Sequence, residues 1–158
     1  MLNRNNAFFE NMKRIGHAWE DARVERQQRK RRIIEEKGWD SDELKAWSKE
    51  DAAARFPFKQ GTCKAYRAWA SSISRRENEL EMDDFLWNKE VADFLKALRS
   101  AGIETFVYTN QSTALMENLH AFVEQGCTMT GLCTITRQET RWGYEEPTEV
   151  MGIRFRLD

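Results

Sequence analysis

Between Gly102 and Gly126 the chain reads G-I-E-T-F-V-Y-T-N-Q-S-T-A-L-M-E-N-L-H-A-F-V-E-Q-G. A run rich in β-branched and aromatic residues gives way to a polar turn, then to apolar residues at helical spacing. Such a run, bounded by turn signals, reads as a central strand. The glycine after each neighbouring helix supplies the left-handed residue on which helices commonly stop. The stretch therefore predicts a strand–turn–helix hub. Asn110 and Ser112 are its helix-capping candidates, and Leu115, Leu119, Phe122 and Val123 its buried helical face.

The segments around the hub repeat its plan. Val91, Phe94, Leu95 and Leu98 follow an i, i+3, i+4, i+7 pattern, which predicts a helix over about 87–101, entered at Asp83 or Asp84. Glu79 to Asp83 alternates polar and apolar residues and predicts a short strand. After Gly126 a second strand begins as C-T-M-T, and the broken alternation at Gly131-Leu132 predicts a bulge or bend. Arg141 to Pro147 reads as a polar loop. The last strand is the clearest, with Met151, Ile153, Phe155 and Leu157 on one face and Gly152, Arg154 and Arg156 on the other. It is expected to return as an antiparallel hairpin partner.

Before this core the pattern is helical. Phe8, Met12, Ile15, Trp19 and Ala22 form a narrow apolar stripe on a helix that runs to Gly38. The stripe suits a core or a homodimer seam. Asp40 with Glu43 resembles a capping box for a second helix, with Leu44 and Trp47 inward, ending before Pro57. Thr62 can cap a third helix, over about 63–77, with Tyr66, Trp69, Ala70 and Ile73 on its inner face. The expected architecture is α+β: N-terminal helices, then a small mixed sheet in the order (β)αβαββ with two amphipathic helices packed on it. Three parts are expected: a charged arm over 1–38, a helical segment over 39–78 and an α/β core over 79–158.

Charge separates the halves. Residues 1–78 hold 18 Lys and Arg against 12 Asp and Glu, whereas residues 79–158 hold 7 against 14. The basic excess concentrates at Arg23, Arg26, Arg29, Lys30, Arg31 and Arg32. A cationic helix of this kind suits nucleic acid or another polyanion, because neutralising phosphates releases counterions. No aromatic residue interleaves the run to stack on bases. The acidic excess begins with Glu79, Glu81, Asp83, Asp84, Glu90 and Asp93, a face for a basic partner or a solvated helix entry.

Catalytic patterns are incomplete. The turn Thr109 to Thr113 precedes a helix N-terminus, where anions bind well, but it lacks the glycines and lysine of a phosphate loop. Ser112 and His120 stand ~12 Å apart on a continuous helix. His120 is expected to join an ion-pair ladder with Glu117 and Glu124. Cys63, Cys127 and Cys133 form no C-x-x-C, and only His17 and His120 are available beside them, so neither zinc nor any other cofactor is expected. No apolar run approaches the ~18 residues of a membrane span. The N-terminus also lacks a signal-peptide core, so no membrane contact and a cytoplasmic location are expected.

Residues 83–136, through D-D-F-L-W, L-R-S-A-G-I-E-T-F-V-Y-T-N-Q-S-T-A-L-M-E-N-L-H and G-L-C-T-I-T-R, resemble a group of small uncharacterised proteins from mobile elements and phages of anaerobic gut bacteria. The resemblance implies an accessory protein of a mobile element, a setting in which anti-CRISPR and other inhibitors of host defence occur. It carries over no catalytic residue. The expected function is therefore non-enzymatic: binding a protein or ribonucleoprotein, most concretely inhibiting a nucleic-acid-targeting defence complex. A nucleic-acid-binding accessory protein using residues 23–32 is the alternative, and an enzyme with a site at the 109–113 turn the third reading.

Overall fold

The computed structural model describes residues 2–158. Five α-helices and four strands follow in the order α1 (Ala7–Lys37), α2 (Asp42–Ala53), α3 (Gln60–Ser74), β1 (Leu80–Met82), α4 (Val91–Ser100), β2 (Thr105–Tyr108), α5 (Leu115–Glu124), β3 (Cys127–Arg141) and β4 (Tyr144–Leu157). A single 3-10 turn, Asn88–Glu90, leads into α4. The chain divides into two compact units, one spanning Asn11–Pro57 and the other comprising residues up to Glu10 together with Phe58–Asp158.

In the first unit α1 and α2 are held together by aromatic and charged side chains. The indole N–H of Trp47 donates to the Arg26 carbonyl at 2.8 Å, and the Lys30 ammonium lies 5.0 Å from the Trp47 ring centre. Trp19 meets the Phe56 ring edge-on at 5.2 Å and donates to the Arg55 carbonyl. Gly38 ends α1 at φ +81°, as its position in the sequence predicts. The cap of α2 is Ser41 rather than Asp40: the backbone of Ser41 is extended, and its hydroxyl accepts the Leu44 N–H at 3.1 Å. A serine one residue closer to the helix fits the geometry in which the side chain reaches the third helical N–H.

The second unit is built on a mixed sheet of strand order β1-β2-β4-β3. β1 and β2 are parallel, while β4 runs antiparallel to both β2 and β3. The strand–helix plan expected around Gly102 is therefore present, with β4 inserted between β2 and β3. Gly102 and Gly126 adopt φ values of +70° and +93°, the left-handed stops their positions require. Val91, Phe94, Leu95 and Leu98 are all buried. Their layer continues through Phe106, Phe122 and Phe155, where Phe106 meets Phe122 edge-on at 5.2 Å and stacks on Phe155 at 5.4 Å. Phe9, rather than its neighbour Phe8, enters this unit fully buried and stacks on Trp69 at 5.2 Å.

Several local expectations are corrected. α3 buries Gly61, Ala65, Ala68, Trp69 and Ser72 and begins at Gln60, without a side-chain cap from Thr62. Small residues face inward because α3 and α4 cross closely: a Cβ on Gly61 would stand 2.3 Å from the Glu90 carbonyl. Neither Asp83 nor Asp84 caps the helix that follows. Glu90 does so from inside it, accepting the Trp87 N–H at 2.9 Å. On α5 the buried positions are Asn118, Ala121 and Phe122, and Val123 is exposed. Asn118 takes the inner place because its amide donates to the Leu86 carbonyl and the Tyr108 hydroxyl, both at 2.9 Å, which satisfies a buried polar group. Asn110 and Ser112 do not cap α5, whose first turn has no side-chain cap. Arg141 to Pro147 is no loop. It belongs to the long β3–β4 hairpin, which turns on Trp142 and Gly143 alone. The bulge falls at Thr130, between Met129 and Gly131. On β4 the predicted inner face holds at Phe155 but ends before Met151, which is exposed.

Candidate functional site: a buried carboxylate cluster and the hairpin it anchors

Most of the basic residues on α1 already have partners within their own unit. Arg23 pairs with Glu20, Arg26 with Asp51 at 3.3 Å, and Arg29 with Glu50, while Lys30 covers Trp47. The acids hold the Arg23 and Arg29 guanidinium groups above their ordinary pKa. Arg31 and Arg32 are exposed and form no ion pair among the described residues. Two of the six basic residues thus remain unpaired toward solvent.

The acidic stretch does not make one open face. Glu79 is held by Arg154 in a two-pronged pair at 2.7 and 2.9 Å. Glu90 is buried and accepts from the Lys64 ammonium at 2.7 Å and from the Trp87 N–H. Burial opposes its charge, but those two donors outweigh burial and hold its pKa below the usual value. Asp84 accepts its neighbour's N–H at Phe85, and Asp93 lies 3.9 Å from Lys59. Only Glu81 and Asp83 are brought together.

Glu81 is the centre of a cluster that the acidic run conceals. It sits on β1 with no exposure at all. Its backbone N–H donates to the Ser72 hydroxyl at 2.9 Å, so α3 covers the edge of β1. Its carboxylate accepts the Thr109 hydroxyl at 2.7 Å and faces Arg137 of β3 at 3.3 Å and Arg75 at 3.4 Å. Both arginines also reach Asp83, at 3.6 and 2.7 Å. Glu77, two residues past Arg75, is equally buried, and its oxygens lack an aligned hydrogen bond, although Arg75 Nε stands 2.8 Å away. Burial, then the adjoining Glu81 carboxylate, pushes the Glu77 carboxyl up to about 8. The two acids therefore share one dry site, facing the Arg75 and Arg137 guanidinium groups. Sequence reading missed Glu77 and both arginines, since Arg75 and Arg137 are distant in the chain and meet at Glu81 only in the folded protein.

The other candidates offer little chemistry. Ser112 donates its backbone N–H to the Asn110 side chain, and its hydroxyl is buried without a partner. His120 lies 3.6 Å from Glu124, one rung of the expected ladder. Burial pushes the thiols of Cys63, Cys127 and Cys133 up, opposite to the shift that activates a nucleophile. No group of three or more His, Cys, Asp or Glu residues suited to a metal ion occurs among the described residues.

The cluster anchors a projecting element. β2 pairs with β4 only as far as Ile153, yet β3 and β4 continue to pair up to Arg141 and Tyr144. Where the hairpin leaves the sheet, Gly152 lies so close that a Cβ would stand 2.6 Å from Val107 and 2.9 Å from the Tyr108 carbonyl. Past that point Arg137 reaches Glu81, and the Gln138 N–H donates to the Arg75 carbonyl at 3.0 Å. At the tip Trp142 and Gly143 have φ values of +52° and +82°, the two left-handed residues of a type I′ turn. Asn or Asp usually fills the first of these positions, and a residue with a full side chain there costs ~1–2 kcal/mol. Trp142 is nonetheless 97% exposed, beside Tyr144 at 73%.

Fold and site together define an α+β domain with a mixed sheet, a buried carboxylate–arginine cluster and a long hairpin bearing unburied aromatic residues at its tip. The chain belongs to the family described as a domain of unknown function, DUF7698, whose model matches residues 64–157. The match begins inside α3 and takes in every strand, leaving α1 and α2 outside it. No curated protein and no solved structure matches the chain.

Proposed function

We propose that this is a non-enzymatic protein-binding protein whose anchor is the tip of the β3–β4 hairpin. The observation that carries this reading is Trp142, a large aromatic residue in a left-handed turn position and almost wholly in solvent. Folding gains nothing from burying it and loses something by its backbone. Binding explains the choice, because Trp and Tyr dominate the residues that anchor protein interfaces when they enter a partner's pocket. The cluster around Glu81 supports the same reading by fixing the base of the hairpin. The partner proposed is a protein or ribonucleoprotein. The finer form, an inhibitor of a nucleic-acid-targeting defence complex encoded on a mobile element, rests on the resemblance of residues 83–136 and on the opposed charges of the two halves.

Affinity capture from lysate of the source cells, with wild type beside Trp142→Asn, tests the reading. Loss of one specific partner with Trp142→Asn is expected, with retention in an Arg31→Glu/Arg32→Glu variant. A partner retained by Trp142→Asn would sink the proposal. The exposed, unpaired Arg31 and Arg32 favour a second reading, direct nucleic-acid binding, which predicts the reverse pattern and a steep loss of binding with salt.

A further inference from the structure

We propose that the outer edge of β3 is a self-association surface, through which two copies pair antiparallel over residues 132–136 about a two-fold axis at Thr134. The argument begins with which backbone groups point outward. Gln138 stands opposite Pro147 and donates its N–H to the Arg75 carbonyl, away from β4. Direction repeats every second residue along a strand, so Thr136, Thr134 and Leu132 also point their N–H and C=O groups away from β4. Among the described residues, no backbone hydrogen bond outside the hairpin reaches these three.

Two features limit the free edge. On one side the Arg75 carbonyl already occupies Gln138. On the other, the bulge between Met129 and Gly131 breaks the ladder, with Gly131 at φ +135°. The three outward residues left between these stops are symmetric about Thr134. An antiparallel register that uses all of them sets Thr134 against Thr134 of the second copy and Leu132 against its Thr136. A shift in either direction runs into the bulge or into the occupied Gln138. The free stretch is thus self-complementary, which favours a second copy over a foreign strand.

Its side chains agree. Natural sheet edges are guarded by charge, proline or a covering element, yet Cys127 to Thr136 contains no charged residue and no proline. Two copies therefore meet there without like-charge repulsion. Leu132 is 76% exposed, and Met151, opposite Thr134 on β4, is 62% exposed. Pairing would set Leu132 beside Thr136 of the second copy and join two four-stranded sheets into one.

The test is the molar mass of the full chain by light scattering over a concentration series. The wild type is expected to double in mass as concentration rises. Thr134→Lys, which sets two ammonium groups at the axis, is expected to stay monomeric with an unchanged circular dichroism spectrum and melting temperature, since Thr134 is exposed. As an independent readout, Thr134→Cys in a Cys63→Ser/Cys133→Ser background is expected to form a disulfide-linked dimer under mild oxidation, because facing Cα atoms in such a pair lie ~5.5 Å apart. A wild type that remains monomeric throughout would overturn the proposal. A dimer that survives Thr134→Lys and leaves Thr134→Cys unlinked would also overturn it, placing the contact elsewhere, for example on the α1 stripe.

Discussion

At the scale of single residues, Glu77 carries the most unusual chemistry in the molecule. It is buried beside Glu81, and two like charges in one dry site cannot both be sustained cheaply. Its pKa accordingly rises from an ordinary 4.5 to about 8. Across that window the folded chain keeps a proton that the unfolded chain releases, so stability is fullest below the lower value and declines as pH rises toward the upper one. The slope from this group is at most ~1.4 kcal/mol per pH unit. Glu77→Gln keeps the neutral form at every pH and should flatten that decline, leaving the variant more stable than the wild type at alkaline pH. Urea denaturation from acid to mildly alkaline pH measures it, and an identical slope in both proteins would show that Glu77 is not the titrating group. Glu90 contributes in the opposite sense: its depressed pKa gives stability that is lost as pH falls. The two windows differ, so the two contributions can be read separately.

At the scale of elements, α3 and α4 depend on one close crossing. A methyl group at Gly61 would collide with the backbone of Glu90 and Phe94. Gly61→Ala is therefore expected to lower stability by ~1–3 kcal/mol in urea denaturation, the usual cost of overpacking, despite the better helix propensity of alanine. An unchanged or raised stability would mean that the helices separate easily. This crossing also shows what the sequence could and could not convey. The apolar period of Val91, Phe94, Leu95 and Leu98 marks α4, and Gly102 and Gly126 mark two helix ends, because these signals are local. The inner face of α3 is misread because Gly61, Ala65 and Ala68 are buried for their small size, which periodicity in large apolar residues does not register. Asn118 is missed because its partners, Leu86 and Tyr108, are met only in the folded chain. The hairpin is missed because R-W-G-Y-E-E-P has the composition of a loop, while its pairing is fixed by the whole β3–β4 ladder. The charge runs misled most: acids close in sequence, such as Glu79, Glu81 and Glu90, are dispersed to three separate basic partners.

At the scale of the whole molecule, the two units use their charges differently. In the helical unit, basic residues of α1 hold acids of α2 and leave Arg31 and Arg32 in solvent. In the sheet unit, Arg75 and Arg137 are drawn into a buried cluster, and the exposed resource is aromatic and apolar. No helix among the described residues is long and apolar enough to cross a membrane. The family match covers the sheet unit from Lys64 onward, and both proposed contact surfaces, the tip of the hairpin and the edge of β3, lie within it. A side chain kept for a partner should be dispensable for folding, and Trp142 makes that requirement measurable. The decisive comparison is the unfolding free energy of Trp142→Asn against the wild type. Asn tolerates the left-handed position and gives up no buried contact, so the account predicts equal stability or a gain of up to ~1 kcal/mol. A loss greater than ~1 kcal/mol would show that Trp142 serves the fold, and would contradict its role as an anchor held out for a partner.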